Sequence, residues 1–264
     1  MTVLLFVDAE TTGLTSRDTL LEFAYCCTNV AGNQLTPLKS RFCDITGTNC
    51  DPLRPSRRES TSEPMPAVGL PVWSRTPQEG QEDQAASMAV ESGLFDDWLA
   101  APATHRVTSG EALEQLLLDE ISSCATPRED VHLAGAGVAQ FDQELLRRIC
   151  RRVMVARGVF GGPVHYRPVD QSVILMGLVW DASTSMKQRA LRWWLSSNPM
   201  GGEIEVDVPP RYCLGDGGRP ARTKWLTEGA MKHRAAPDVA RSIVLHRMVS
   251  SHGEWLREAL ASER

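Results

Sequence analysis

The chain has 264 residues, with 28 Lys or Arg against 33 Asp or Glu, for a formal net charge of −5. Its 42 % hydrophobic and 23 % charged residues exclude collagen-like, coiled-coil and wholly disordered chains, and leave one large domain or two small ones able to bury a core. The acidic balance argues against a protein that coats long duplex nucleic acid, which meets phosphates with a surplus of Lys and Arg.

The first predicted element is a β-rich strand over 3–8 that ends at Asp8. Its apolar run, Val3 to Val7, has no basic flank and falls short of a signal-peptide core. It is far below the roughly 20 apolar residues of a membrane-spanning helix. A soluble, cytoplasmic protein without membrane contact is expected.

Strands follow at 20–29 and 38–44, separated by the turn residues Ala31, Gly32 and Asn33, so the start of the chain is a three-stranded meander. Residues 51–87 change character. Pro52, Pro55, Pro64, Pro66, Pro71 and Pro77 forbid regular helix or central strand there. The segment is expected to be a surface insertion rather than a linker between domains. An amphipathic helix is predicted over 109–124, with Ser109 as its N-cap. A short strand at 130–135 precedes a helix over 141–157, whose apolar face holds Leu145, Leu146, Ile149 and Val153. A strand at 164–169, helices at 171–180 and 186–196, a Gly- and Pro-rich loop at 199–220, and helices at 227–249 and 252–262 complete the order. The layout is mixed α/β.

The seven cysteines, at 26, 27, 43, 50, 124, 150 and 213, are odd in number and contain no CxxC. They read as free buried thiols of a reducing compartment.

Acidic residues carry the chemistry. In a strand, residues i and i+2 share a face, so Asp8 and Glu10 point the same way. Two adjacent acids repel unless a cation neutralises them; two solvated acids at a strand end are the plainer alternative. Asp142 opens a helix after a strand, where the helix N-terminus favours an anion. Pro237 suits the first turn of a helix, which puts Asp238 in that turn and His233 just before it. Together these residues suit two divalent cations, which are hard and take carboxylate oxygens, with a neutral His as proton acceptor.

The Gly135-Ala136-Gly137 run does not complete a dinucleotide fingerprint, because Gln140 stands where the third Gly belongs. Arg147, Arg148, Arg151 and Arg152 make one basic helical face, suited to phosphates, to an acidic partner surface or simply to solvent. Arg167, Arg189 and Arg234 are further phosphate candidates. Trp193 and Trp194 fit core or a subunit interface better than base stacking.

These motifs, in this order, resemble the DEDDh 3′-to-5′ exonucleases, and among them oligoribonucleases. The resemblance lies in FVDAETTGL (6–14), HLAGAGVAQFDQELL (132–146) and HRAAPDVARSI (233–243). MAVESGLFDDW (88–98) and HYRPVDQSVI (165–174) are similar to oligoribonuclease segments. It implies a ribonuclease-H-like fold, a mixed five-stranded sheet flanked by helices, in a single domain over 1–264. Within it lie a Pro-rich insertion at about 45–87 and a loop at about 197–222. It implies metal ligands at Asp8, Glu10, Asp142 and Asp238 for two Mg²⁺ or Mn²⁺ ions, with Asp8 bridging, and His233 as general base. It implies substrate contacts from Thr11, Thr12, Leu14 and Ser92, and a structural or supporting role for Asp170. The activity implied is release of nucleoside 5′-monophosphates from short single-stranded RNA. The rivals are a DNA proofreading or repair exonuclease and a nucleic-acid-binding module with a dead site. A homodimer is implied by resemblance alone. In three places the chain departs from the pattern: Ala136 and Gly137 stand where the family has an Asn before the second-motif Asp, with the spacing to Asp142 one residue long; Pro237 stands where the family has an aspartate before the last motif Asp; and the insertion is additional. Trp73, within the insertion, is a further stacking candidate.

Overall fold

The computed structural model describes residues 2–12, 19–46, 89–102, 106–126, 130–139, 141–154, 163–178, 204–207 and 234–262. The predicted helix at 186–196, Leu14, Trp73, Arg189, Trp193, Trp194 and His233 lie outside them. So does nearly all of the Pro-rich insertion.

Three strands, β1 (Thr2–Thr11), β2 (Thr19–Asn29) and β3 (Leu38–Thr46), pair antiparallel as the expected meander. On the other side of β1, β4 (Asp130–Gly135) and β5 (Val164–Asp170) are parallel to it and to each other. Parallel neighbours need crossovers, and helices supply them. Between β3 and β4 run α1 (Leu94–Ala100) and α2 (Gly110–Cys124); between β4 and β5 run α3 (Asp142–Ile149) and α4 (Arg151–Met154). After β5 come α5 (Gln171–Leu178) and, near the end of the chain, α6 (Ala235–Ser262). The result is a mixed α/β fold, a sheet with antiparallel and parallel strands flanked by helices.

The sheet has six strands rather than the expected five, in the order β5-β4-β1-β2-β3-β6. The extra strand, β6 (Val206–Asp207), lies in the segment expected to be loop. It pairs parallel with Leu38 and Lys39 at the open edge of the meander. Two further bonds seat it: the Leu38 amide donates to Glu205 O at 2.8 Å, and Gln34 Nε2 does so at 2.9 Å. A two-residue pairing has no periodicity of its own for a sequence to display.

Two helix boundaries also differ. The helix expected over 141–157 breaks at Cys150, whose φ of −126° and ψ of 67° are not helical. The break turns Arg152 toward the buried Glu114 of α2, which accepts from its backbone amide and, at 2.6 Å, from Nε. The two helices expected at the C-terminus are one continuous α6 from residue 235 onward. A single Gly253 costs a helix only about 1 kcal/mol relative to Ala, too little to end one this long. Ser109 caps α2 as expected, its Oγ accepting from the Ala112 amide at 3.1 Å.

Alternation along β1 sorts the core into two layers. Val3, Leu5, Val7 and Ala9 pack with Leu113, Leu117 and Ile121 of α2 and Leu145 and Leu146 of α3. Leu4 and Phe6 face the other way, onto Ala235, Ala236, Val239, Ala240 and Ile243 of α6. Asp8 and Glu10 continue this second face. A smaller cluster of Leu21, Phe42, Leu94 and Trp98 seats α1, and Trp98 Nε1 donates to Cys43 O at 2.5 Å. The five cysteines among the described residues are free thiols. Among the described residues, no helix is long and apolar enough to cross a membrane.

Candidate metal centre at the end of the first strand

β1 runs on past its partner β4: the pairing is traced as far as Phe6 with Ala134. Asp8 and Glu10 therefore stand at the carboxyl end of the parallel strands, where α/β sheets form their crevices. Across β2, Asp8 lies opposite Ala24 and Glu10 opposite Glu22. Asp238, in the first turn of α6, completes a group with them. One ligand atom from each of Asp8, Glu10 and Asp238 lies within 4.8 Å of the others, and all three residues are half-buried. The strand period brings the first two together, and the packing of α6 brings the third.

Asp142 reaches the same strand end from the opposite layer, as the first residue of α3. Its carboxyl accepts from its own amide and from the backbone N–H of Ala9. It is 3 % exposed, and its Oδ1 is buried with no hydrogen-bond partner. A buried carboxylate oxygen without a donor is costly unless an ion or water meets it.

The electrostatics agree. Burial, then the charges of Asp238, Glu10, Asp142 and Glu22, hold the Asp8 carboxyl well above the usual carboxylate range. Burial, then Asp238, Glu22 and Asp142, does the same for Glu10, with Arg234 opposing. Burial also pushes Asp142 up to about 8, with Asp170 and Asp238 adding and the two amides opposing. Like charges gathered in a half-buried place raise one another until a cation intervenes. An all-carboxylate donor set with one unpartnered buried oxygen fits a hard divalent cation.

The approach of β4 to this end depends on Gly135. A Cβ there would stand 2.7 Å from Val7 O and 3.3 Å from Val138 Cβ. Gly137 has φ of 72°, the left-handed conformation glycine favours. Its amide donates to Asp170 Oδ1 at 3.1 Å, and the Ala139 amide donates to Oδ2 at 3.1 Å. Asp170 also accepts from the Ser172 amide and hydroxyl, at 3.0 and 2.6 Å. Asp170 thus shapes the turn that delivers Asp142. The glycines that suggested a nucleotide loop serve this turn instead.

Thr12 is buried; its amide donates to Thr19 O at 3.0 Å and its Oγ1 accepts from the Thr19 amide at 2.9 Å. Thr11 is half-exposed at the end of β1. Ser92 Oγ donates to Ala89 O at 3.2 Å, just ahead of α1. Arg234 departs from its expectation as a phosphate contact: it is 5 % exposed and bonds Glu22 and Asp97. The basic face of α3 and α4 is also partly spent, on Glu144 for Arg147 and Arg148 and on Glu114 for Arg152.

Glu22 is the residue that sequence reasoning missed. It is 0 % exposed and accepts from Ser40 Oγ at 2.7 Å. The signal was a single charged residue in the otherwise apolar run LLEFAYCC of β2.

No family model matches the sequence, and no curated protein matches it either. Solved structures do. A zinc-bound complex of E. coli exonuclease I with single-stranded DNA is similar at 15 % identity and a TM-score of 0.49, over 99 % of this chain and 43 % of that one. A second complex of the E. coli enzyme, with a 5cy-dT13 oligonucleotide, gives 16 %, 0.48, 99 % and 43 %. Exonuclease I from Methylocaldum szegediense is similar at 19 % and 0.45, over 100 % of this chain and 44 % of that one. The chain spans less than half the length of these enzymes.

Proposed function

We propose that the chain is a metal-dependent exonuclease that shortens single strands from the 3′ end, with short RNA as its preferred substrate. One observation carries the reading: Asp8, Glu10 and Asp238 converge at the end of β1, with the Asp142 carboxyl, whose Oδ1 is buried without a partner, acting on them from the opposite layer. The motif order supports it independently, because the same four acids and His233 are the residues the resemblance singles out. A dead binding module has no reason to keep all five.

In this reading, residues 1–264 form one domain, and Asp8, Glu10, Asp142 and Asp238 hold two Mg²⁺ or Mn²⁺ ions. Such ions, when bound, activate a water and stabilise the leaving oxygen of a phosphodiester. The chain's residues orient and deprotonate. His233 accepts the proton of the attacking water. Leu14 wedges against the terminal base, and Thr11, Thr12 and Ser92 contact the 3′ nucleotide. The product is a nucleoside 5′-monophosphate. A homodimer belongs to the same reading and is measured by light scattering.

A DNA exonuclease is the second reading. The Ala136-Gly137 turn and the insertion both depart from the oligoribonuclease pattern. Digestion of 5′-labelled RNA and DNA side by side, from two to about 25 nucleotides, tests both. Faster loss of short RNA from the 3′ end supports the first reading, and faster loss of DNA the second. No cleavage of either in Mg²⁺ or Mn²⁺ refutes both.

A further inference from the structure

We propose that Glu22 and Arg234 are positioning residues that fix the gap between the two halves of the metal centre; the proposal rests on the metal-dependent reading above. Asp8 and Glu10 belong to β1, whereas Asp238 belongs to α6. Asp238 is bonded by Arg241 of its own helix, which offsets part of its charge, but the acids of β1 and α6 still repel each other when no cation lies between them. Something else must hold the helix to the strand end.

Glu22 is placed to do so. It lies opposite Glu10 in the β1–β2 register, so both side chains leave the sheet on the α6 face. Ser40 fixes its Oε1. Its Oε2 accepts from Arg234 Nε and from the Ala235 amide, each at 3.2 Å. Ala235 is the first residue of α6. The Arg234 carbonyl then accepts from the Asp238 amide at 3.1 Å, closing the turn that carries the third acid. One chain of contacts thus runs from Glu22, through Arg234, to the backbone of Asp238. Arg234 Nη1 extends it to Asp97 of α1 at 2.8 Å, which ties in the segment bearing Ser92. Arg234 spans both acids because its guanidinium is a planar fork, which a Lys cannot reproduce.

Two substitutions test this, Glu22→Gln and Arg234→Lys. The second keeps the net charge, so it separates positioning from simple attraction of cations. The measurements are thermal unfolding, Mn²⁺ binding by calorimetry, and the Mn²⁺ dependence of oligonucleotide cleavage. Residues behind metal ligands typically alter affinity 10- to 100-fold. Both variants are therefore expected to bind Mn²⁺ at least about tenfold more weakly. Half-saturating Mn²⁺ should rise by the same factor while kcat at saturating Mn²⁺ stays within about threefold. If Glu22→Gln does not fold, Arg234→Lys decides alone. Wild-type Mn²⁺ affinity in a folded Arg234→Lys protein overturns the proposal and leaves the metal centre standing. A wild-type protein that binds no Mn²⁺ overturns both.

Discussion

Glu10 stands directly opposite Glu22 in the β1–β2 ladder, yet Glu22 is fully buried against Arg234 while Glu10 lies half-buried beside Asp8 and Asp238. Like charges facing each other across strands are destabilising. The fold answers one of them with a guanidinium and groups the other with two further acids. That asymmetry sets a structural ion pair beside the acidic cluster that we propose receives cations, in which Asp238 is bonded by Arg241.

Asp170 is expected to support the centre rather than join it. Its carboxylate holds the amides of Gly137 and Ala139 in the turn before Asp142. Asp170→Ala removes the acceptor of these donors, but Gly137 is half-buried and Ala139 exposed, so water meets part of the loss, at about 0.5–1.5 kcal/mol each. Urea denaturation should show a loss of about 1–3 kcal/mol in total. Cleavage at saturating Mn²⁺ should remain measurable. Complete loss of cleavage in a folded Asp170→Ala protein would make Asp170 a ligand instead.

Much of this was legible in the sequence, and what was not has physical reasons. Asp8 and Glu10 share a face because strands have period two, a property six residues can display. The cap at Ser109 and the helix start at Asp142 are equally local. Glu22 was hidden because burying an acid needs a partner, and that partner stands 212 positions away. The same distance concealed the internal duty of Arg234. The break at Cys150 depends on Glu114 of another helix, and β6 on an edge left open by β3. Apart from the lone charge of Glu22 in an apolar strand, none of these leaves a trace in local pattern.

His233 is assigned through the resemblance and precedes α6 by two residues. His233→Ala should lower the cleavage rate by about 100- to 10,000-fold, the range that general acid–base groups contribute. Mn²⁺ affinity measured by calorimetry should stay at the wild-type value. An unchanged rate refutes its role as base, and a parallel loss of Mn²⁺ would make it a ligand.

The raised acids predict how pH and metal interact. Asp142 has an unperturbed value of 3.8 and is pushed up to about 8; Asp8 and Glu10 are raised as well. An acid whose folded value lies above its unfolded value stabilises the fold fully below the unfolded value. That contribution is lost as pH rises through the folded value, here between about 4 and 8. Metal binds the deprotonated carboxylates and releases their protons. The gain in Tm from Mn²⁺ should therefore widen as pH rises from 5 to 8. At a concentration 100 times Kd it corresponds to about 2.7 kcal/mol, or roughly 5–10 °C for a chain of this size. A gain that stays constant across this range would show that these acids do not titrate with metal binding.

The most direct test incubates a 5′-labelled short RNA, and its 3′-phosphate form, with wild-type, Asp8→Ala and Asp142→Ala proteins in Mn²⁺. The wild-type protein should shorten the free RNA stepwise from its 3′ end and leave the blocked RNA intact. Both variants should remain folded and lose activity by at least about 1,000-fold, as expected when a centre supplying several kcal/mol of transition-state stabilisation is lost. Wild-type rates in either folded variant, or shortening that begins at the 5′ end, would contradict a 3′-end nuclease built on these carboxylates.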